Sequence, residues 1–280
     1  MKKCQRRPRI HPAWLLILLL SLGAGDIEFE QERKVEGTAP QPATWQFAFT
    51  PNFSSGNYGT GNNTSIVYVP FSMQRLFADG DVSLIIPFVS VTGDGSVTLL
   101  SGVPNRQTPL GTIRGTRQTE MGLGDLVLRG RYYVMDEQGW RPTIALTGRV
   151  KLPTADESRG LGTGRFDEGM GVEISRSLSK QWTLFLDASY TFIGKPSGLD
   201  LRNQWYYGVG TGYALTDVWT LSAFYEQYRA VIQGNQNPQD VLVVLNYGWS
   251  PRIGLVAFTQ IGLSDGAPAY ALSVGVSYKY

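Results

Sequence analysis

The sequence predicts an all-β fold: a transmembrane antiparallel up-and-down β-barrel of about twelve strands, with both termini periplasmic. Three observations carry that prediction. The chain opens on a basic stretch followed by a short apolar run. Beyond it, apolar and polar residues alternate with period two in segment after segment. Short and long connections then take turns down to an aromatic last residue, Tyr280.

Lys2, Lys3, Arg6, Arg7 and Arg9 precede the apolar run Ala13 to Leu22, and Gly23-Ala24-Gly25 follows it. That is the layout of a secretory signal peptide over residues 1–25, with an apolar core too short to span a bilayer. Five of the 25 Lys+Arg fall in this stretch and none of the 23 Asp+Glu, so the remainder carries 20 basic against 23 acidic residues, a net of −3. The whole-chain excess of basic residues therefore gives no reason to expect a nucleic-acid partner. Cys4 and His11, the sole cysteine and histidine, also lie in the leader. A mature chain without either cannot build Ser-His-Asp or Cys-His chemistry, or a zinc or haem site from those ligands. A mechanism that uses carboxylates alone stays open and would need Asp187 and Glu226 close together in an accessible cavity; otherwise no catalytic residue, metal or cofactor is expected.

Residues 26–43 are charged and then proline-rich, the composition of a flexible periplasmic lead-in. The barrel then occupies 44–280. Its strands are expected near 44–53, 64–76, 81–92, 121–134, 140–153, 166–178, 182–193, 204–215, 218–231, 239–249, 253–263 and 269–280. The last is the clearest, with Tyr270, Leu272, Val274, Val276, Tyr278 and Tyr280 on one face and Ala271, Ser273, Gly275, Ser277 and Lys279 on the other. These segments exceed the usual strand of roughly 5–6 residues and suit a tilted crossing of a bilayer. Aromatics at the ends of outward rows, Trp182 and Phe192 or Trp205 and Tyr213, fit interfacial girdles facing outer-membrane lipid. Short turns at 77–80, 135–139, 179–181, 216–217 and 250–252 alternate with longer loops at 54–63, 93–120, 154–165, 194–203 and 232–238, before a short last one at 264–268. Closure is what the bilayer demands, because lipid cannot satisfy an open sheet edge. Val276, Tyr278 and Tyr280 end the chain in a pattern similar to the signal read by the barrel assembly machinery, where Phe is the commoner last residue.

With this register the charged strand residues face inward: Arg129, Arg131, Arg149 and Lys151 on two neighbouring strands, and Glu173, Asp187 and Glu226 on three others. Facing lipid at mid-bilayer, an Arg or Lys would cost about 2–4 kcal/mol. Two roles fit the inward set: a selectivity zone in a pore, or a salt-bridge network that fills the barrel. Inward Phe185, Tyr206, Phe224, Tyr228 and Phe258 narrow the lumen, while inward Gly208, Gly210, Gly212, Gly254 and Gly275 are expected to leave room. Gly160 to Gly164 lacks the Lys-Ser/Thr of a phosphate loop, and Thr92 to Gly95 lacks the ligand spacing of a calcium loop.

Gly122-Leu123-Gly124-Asp125 with Arg129-Gly130-Arg131-Tyr132, then Val150-Lys151-Leu152-Pro153-Thr154, Gly160-Leu161-Gly162-Thr163-Gly164 and Asp167, form a set of motifs. Together they resemble the outer-membrane family of transporters of the meta pathway of phenol degradation, most strongly over 120–195. The resemblance implies a channel-like barrel for aromatic or other hydrophobic compounds. The expected function is passive passage of a small-molecule solute across the outer membrane. The alternative is a non-conducting structural or adhesive barrel whose outer loops carry its interactions.

Overall fold

The computed structural model describes residues 44–100, 103–107 and 116–280. The expected leader at 1–25 and lead-in at 26–43 lie outside the described residues. Sixteen strands are present: β1 (Thr44–Phe49), β2 (Asn52–Gly56), β3 (Thr64–Phe77), β4 (Gly80–Gly93), β5 (Val97–Leu100), β6 (Val103–Gln107), β7 (Gln118–Leu123) and β8 (Leu126–Met135), then β9 (Thr143–Leu152), β10 (Asp167–Ser177), β11 (Trp182–Phe192), β12 (Gln204–Ala214), β13 (Trp219–Tyr228), β14 (Gln239–Ser250), β15 (Ile253–Gly262) and β16 (Tyr270–Lys279). One helical turn, Glu157–Arg159, interrupts the loop between β9 and β10.

Fourteen of these strands form one antiparallel sheet that closes on itself, and β5 and β6 pair only with each other. Two breaks explain how fourteen strands make a twelve-stave barrel. Pro51, which has no N–H to give a ladder, separates β1 from β2. The register against β16 nonetheless runs straight on, from Phe49↔Val276 to Asn52↔Ser273. Gly124 and Asp125 separate β7 from β8. Between Leu123↔Phe88 and Val127↔Ile85 the β7–β8 chain advances four residues while β4 advances three. That extra residue is a β-bulge, and it switches which side chains face out. Met121 and Leu123 point outward before it, Leu128 and Tyr132 after it.

Closure comes from β1 and β2 lying against β16, with Trp45 and Tyr280 exchanging backbone hydrogen bonds at 2.8 and 3.2 Å. The expected strands thus match their positions within a few residues. The expected 93–120 loop differs: it contains the β5–β6 hairpin, and its last residues belong to β7. Among the described residues β5 and β6 pair with each other and with no strand of the wall.

Outward rows are apolar and exposed, as in Leu184 and Leu186 of β11 or Leu272 and Val274 of β16. Hydrocarbon, not water, is the solvent that suits such a continuous apolar exterior. Aromatics gather at its two margins. Trp45–Phe47, Trp182–Tyr213 and Trp219–Tyr247 lie at the short-turn end, and Phe53–Tyr270, Tyr190–Phe192 and Trp205–Tyr207 at the long-loop end.

Candidate functional site: the barrel interior and its mouth

All seven residues expected in the lumen, Arg129, Arg131, Arg149, Lys151, Glu173, Asp187 and Glu226, point inward and are buried. The structure divides them into three groups.

The first group spans β4, β8, β9 and β10. Arg131 places Nε 2.8 Å from Glu173 Oε2 and Nη1 3.4 Å from Asp81 Oδ2. Arg129 places Nη2 3.5 Å from Glu173 Oε1. Arg129 lies directly opposite Arg149, and Glu173 directly opposite Asp187. Like charges so placed repel, so each pair is tolerable because the other adjoins it. The stem of Arg149 runs over Gly169, where a Cβ would come 2.9 Å from Arg149 Cγ. A void of about 10 Å³, the size of one water, lies among Arg129, Thr147, Arg149, Ser189 and Thr191.

The second group continues around the wall on β12 and β13. Tyr206 donates its hydroxyl to Glu226 Oε1 at 2.9 Å and stacks at a tilt on Tyr228, with ring centroids 4.7 Å apart. One register row runs Glu173, Asp187, Gly208, Glu226, Asp240, so four inward carboxylates share it. Phe185 and Phe224 pack at 5.5 Å beside it. The inward glycines here leave no open space, contrary to the expectation from sequence. A Cβ at Gly212 would sit 3.1 Å from the Phe185 ring, while Tyr206 occupies the space over Gly208, Phe224 that over Gly210 and Thr50 that over Gly275. Glycine here lets a neighbour's large side chain lie flat on the wall.

The third group centres on Lys151, whose side chain is fully buried. Its Nζ lies 3.0 Å from Asp125 Oδ2, 3.1 Å from Asp167 Oδ2 and 2.9 Å from Thr163 Oγ1. Three partners match the three protons of an ammonium. Each carboxylate also accepts a loop amide: Asp125 from Ala155 at 3.0 Å, Asp167 from Gly194 at 2.8 Å. Thr154 completes the bulge, donating to the Gly124 carbonyl at 3.0 Å and accepting from the Leu126 amide at 2.9 Å. The motifs that stood apart in the sequence therefore converge here.

Toward the long-loop end lies an apolar cluster. Inward Ile66, Tyr68, Val89 and Val91 of β3 and β4 meet Val97 and Leu99 of β5, and Tyr58, Ala155 and Leu161 from loops. Tyr58 holds φ at +48°, a strained value for a residue with a side chain. Burial pushes its hydroxyl above the ordinary tyrosine value, partly countered by its hydrogen bond to Ser54. Ile193, Leu201 and Val231 form a second loop cluster with Leu199 and Ile232.

Sequence reasoning missed four buried carboxylates, Asp81, Asp125, Asp167 and Asp240, as members of the interior. Each sits at or just outside a strand end. Asp167 shares parity with Glu173 and Asp81 with Ser83 and Ile85, which was the available signal. Among the described residues, no group of three or more His, Cys, Asp and Glu is placed to hold a metal ion.

A closed twelve-stave barrel with apolar outer rows and a charged interior is the architecture of an outer-membrane β-barrel. The chain belongs to the phenol-degradation MetA-pathway family, whose model matches residues 51–280. Among solved structures it is similar to the COG4313 outer membrane channel from Pseudomonas putida F1, at 12% identity and a TM-score of 0.68, covering 89% of this chain and 100% of that one. It is also similar to the NanC porin, at 11% identity and a TM-score of 0.51, covering 84% of this chain and 100% of that one. At these identities the likeness is one of fold. No curated protein matches the sequence significantly.

Proposed function

We propose that this protein is an outer-membrane channel for passive passage of small, mainly hydrophobic or aromatic molecules. The reading takes residues 1–25 as an export leader, 26–43 as a periplasmic lead-in and the short-turn end as periplasmic. One observation carries it: the apolar cluster at the long-loop end is built in part from loop and hairpin side chains, Tyr58, Val97, Leu99, Ala155 and Leu161, packed against inward residues of the wall. Loops are the part of a barrel that moves at low cost. The surface they present at the mouth is apolar, which suits apolar solutes better than hydrated ions. The family's name, which refers to phenol degradation, supports the solute class. Arg129, Arg131, Arg149, Lys151, Glu173, Asp187 and Glu226 are the candidate lining residues for whatever passes beneath.

A second reading is favoured by the packed interior, where inward aromatics occupy the space over the glycines. It makes the chain a non-conducting structural or adhesive barrel. Bilayer recordings and uptake of a small aromatic compound into proteoliposomes separate the two. The channel reading expects flux that changes in Arg129→Ala with Arg149→Ala. No flux and no current in either protein supports the second reading.

A further inference from the structure

Loop 153–166 is anchored differently at its two ends. At its root, Lys151 and Asp167 are directly opposite one another, and the Lys151 ammonium reaches into the loop to hold Thr163. At its crest, Leu161 inserts into the mouth cluster and is buried. On the outside, Arg159 pairs with Glu120 of β7 at 2.9 Å, both partly exposed.

Several details fit the loop to this seat. Gly162 lies against Asp125, where a Cβ would come 2.9 Å from a carboxylate oxygen and 2.8 Å from the Ala155 Cβ. Gly160 and Gly164 take φ of 71° and 62°, the left-handed conformation that glycine adopts freely. The Lys151 hydroxyl partner differs in kind from its carboxylate partners. If Thr163 lets go, the ammonium keeps Asp125 and Asp167, so no buried charge is orphaned. Leu161 is meanwhile drawn out of the apolar cluster. β7 has no strand partner on its other edge among the described residues, and this loop lies beside it.

We propose that loop 153–166 is the movable part of the apolar cluster at the long-loop end of the barrel. In this reading Lys151, Asp125 and Asp167 form its fixed pivot, and the Thr163 hydroxyl is the contact that releases. Lys151 and Thr163 are thus positioning residues for the gate. The functional meaning of the gate rests on the channel reading; the motion does not.

The test follows the motion without any solute. In the full chain with Cys4→Ser, Leu161→Cys reports exposure of the crest to a maleimide, and Ile85→Cys, a buried inward residue of β4, reports loosening of the wall. The expected result is slow labelling of Leu161→Cys, accelerated about 10-fold to 100-fold by Thr163→Val, the range for loss of one charge-assisted hydrogen bond. Ile85→Cys stays unlabelled in both. Equal labelling of Leu161→Cys with and without Thr163→Val overturns the proposal, as does parallel acceleration at Ile85→Cys. Arg159→Gln gives a second route, since loss of the outer ion pair also speeds labelling at the crest and not at the wall. A loop that moves in a protein without flux leaves the gate standing and removes the channel.

Discussion

Arg131 and Glu173 meet at 2.8 Å although β9 lies between the strands that carry them. The contact therefore braces three staves and not two. Glu173 also takes Arg129, while Arg131 reaches on to Asp81, so one carboxylate ties both arginines of β8 to β10.

Removal of that carboxylate is expected to be costly. All four side chains are at most 5% exposed, so solvent does little to screen them. Glu173→Gln takes a carboxylate from both guanidinium groups, and the barrel should lose about 3–5 kcal/mol against urea. Replacing both partners, Glu173→Met with Arg131→Met, should cost less than Glu173→Gln alone, because one charge of each sign is removed and the balance of buried charge is unchanged. Urea titration of the barrel refolded in lipid reads both. A double variant as damaged as the single would contradict the bracing role.

The same reasoning gives a sharper result at Lys151. Its replacement by Met leaves Asp125 and Asp167 facing one another without their cation, each still accepting a loop amide. A loss of about 3–5 kcal/mol is expected. Adding Asp125→Asn should recover part of it, since an amide oxygen still accepts the Ala155 N–H and one negative charge is gone. If the second change deepens the loss, the repulsion argument fails.

The wall was legible because lipid outside and a filled interior make alternation strict, and strand ends marked by Trp, Tyr, Gly and Pro keep it in frame. The bulge at Gly124 and Asp125 was not, because one inserted residue reverses the pattern and looks like noise in it. Arg129 and Arg131 still came out inward, since the expected strand was framed on the residues after the bulge. The partners were harder. Asp81, Asp125 and Asp167 belong to the interior through tertiary contacts that cross one or more strands or loops, and period two carries no information about those. The mouth cluster was invisible for a related reason: Val97, Leu99 and Leu161 lie in segments of ordinary loop composition, buried only because other loops lie over them.

Acid should undo the cap of the turn in loop 153–166. Asp156 caps the turn Glu157–Arg159, accepting from the Ser158 hydroxyl at 2.6 Å and the Ser158 amide at 3.0 Å. The Ser158 hydroxyl, above all, holds its carboxyl below the ordinary aspartate value of 3.8, with the Ser158 and Arg159 amides adding to the effect. Because the folded-state value is the lower one, the cap is fully present above 3.8 and fades as pH falls through the lowered value. Hydrogen exchange at the Ser158 amide should therefore stay protected through pH 3.8 and lose protection only below it. Asp156→Ala should remove the protection at neutral pH. Loss of protection well above 3.8 in the unsubstituted protein would assign the turn to other forces.

The last residue separates barrel closure from recognition during assembly. Tyr280 joins Trp45 through its backbone alone in the bonds that close the sheet, while its side chain is 79% exposed. Tyr280→Ala keeps those bonds, so the protein refolded in detergent should resist urea almost as the parent does. Inside the cell the same variant loses the aromatic terminus that resembles the assembly signal, and the folded fraction in outer membranes should fall several-fold, with Tyr280→Phe close to the parent. Heat-modifiability on gels reads the folded fraction in both settings. If Tyr280→Ala lowers stability in detergent as much as it lowers assembly in cells, the side chain serves closure, and Val276 and Tyr278 of the same outward row become the better candidates for recognition.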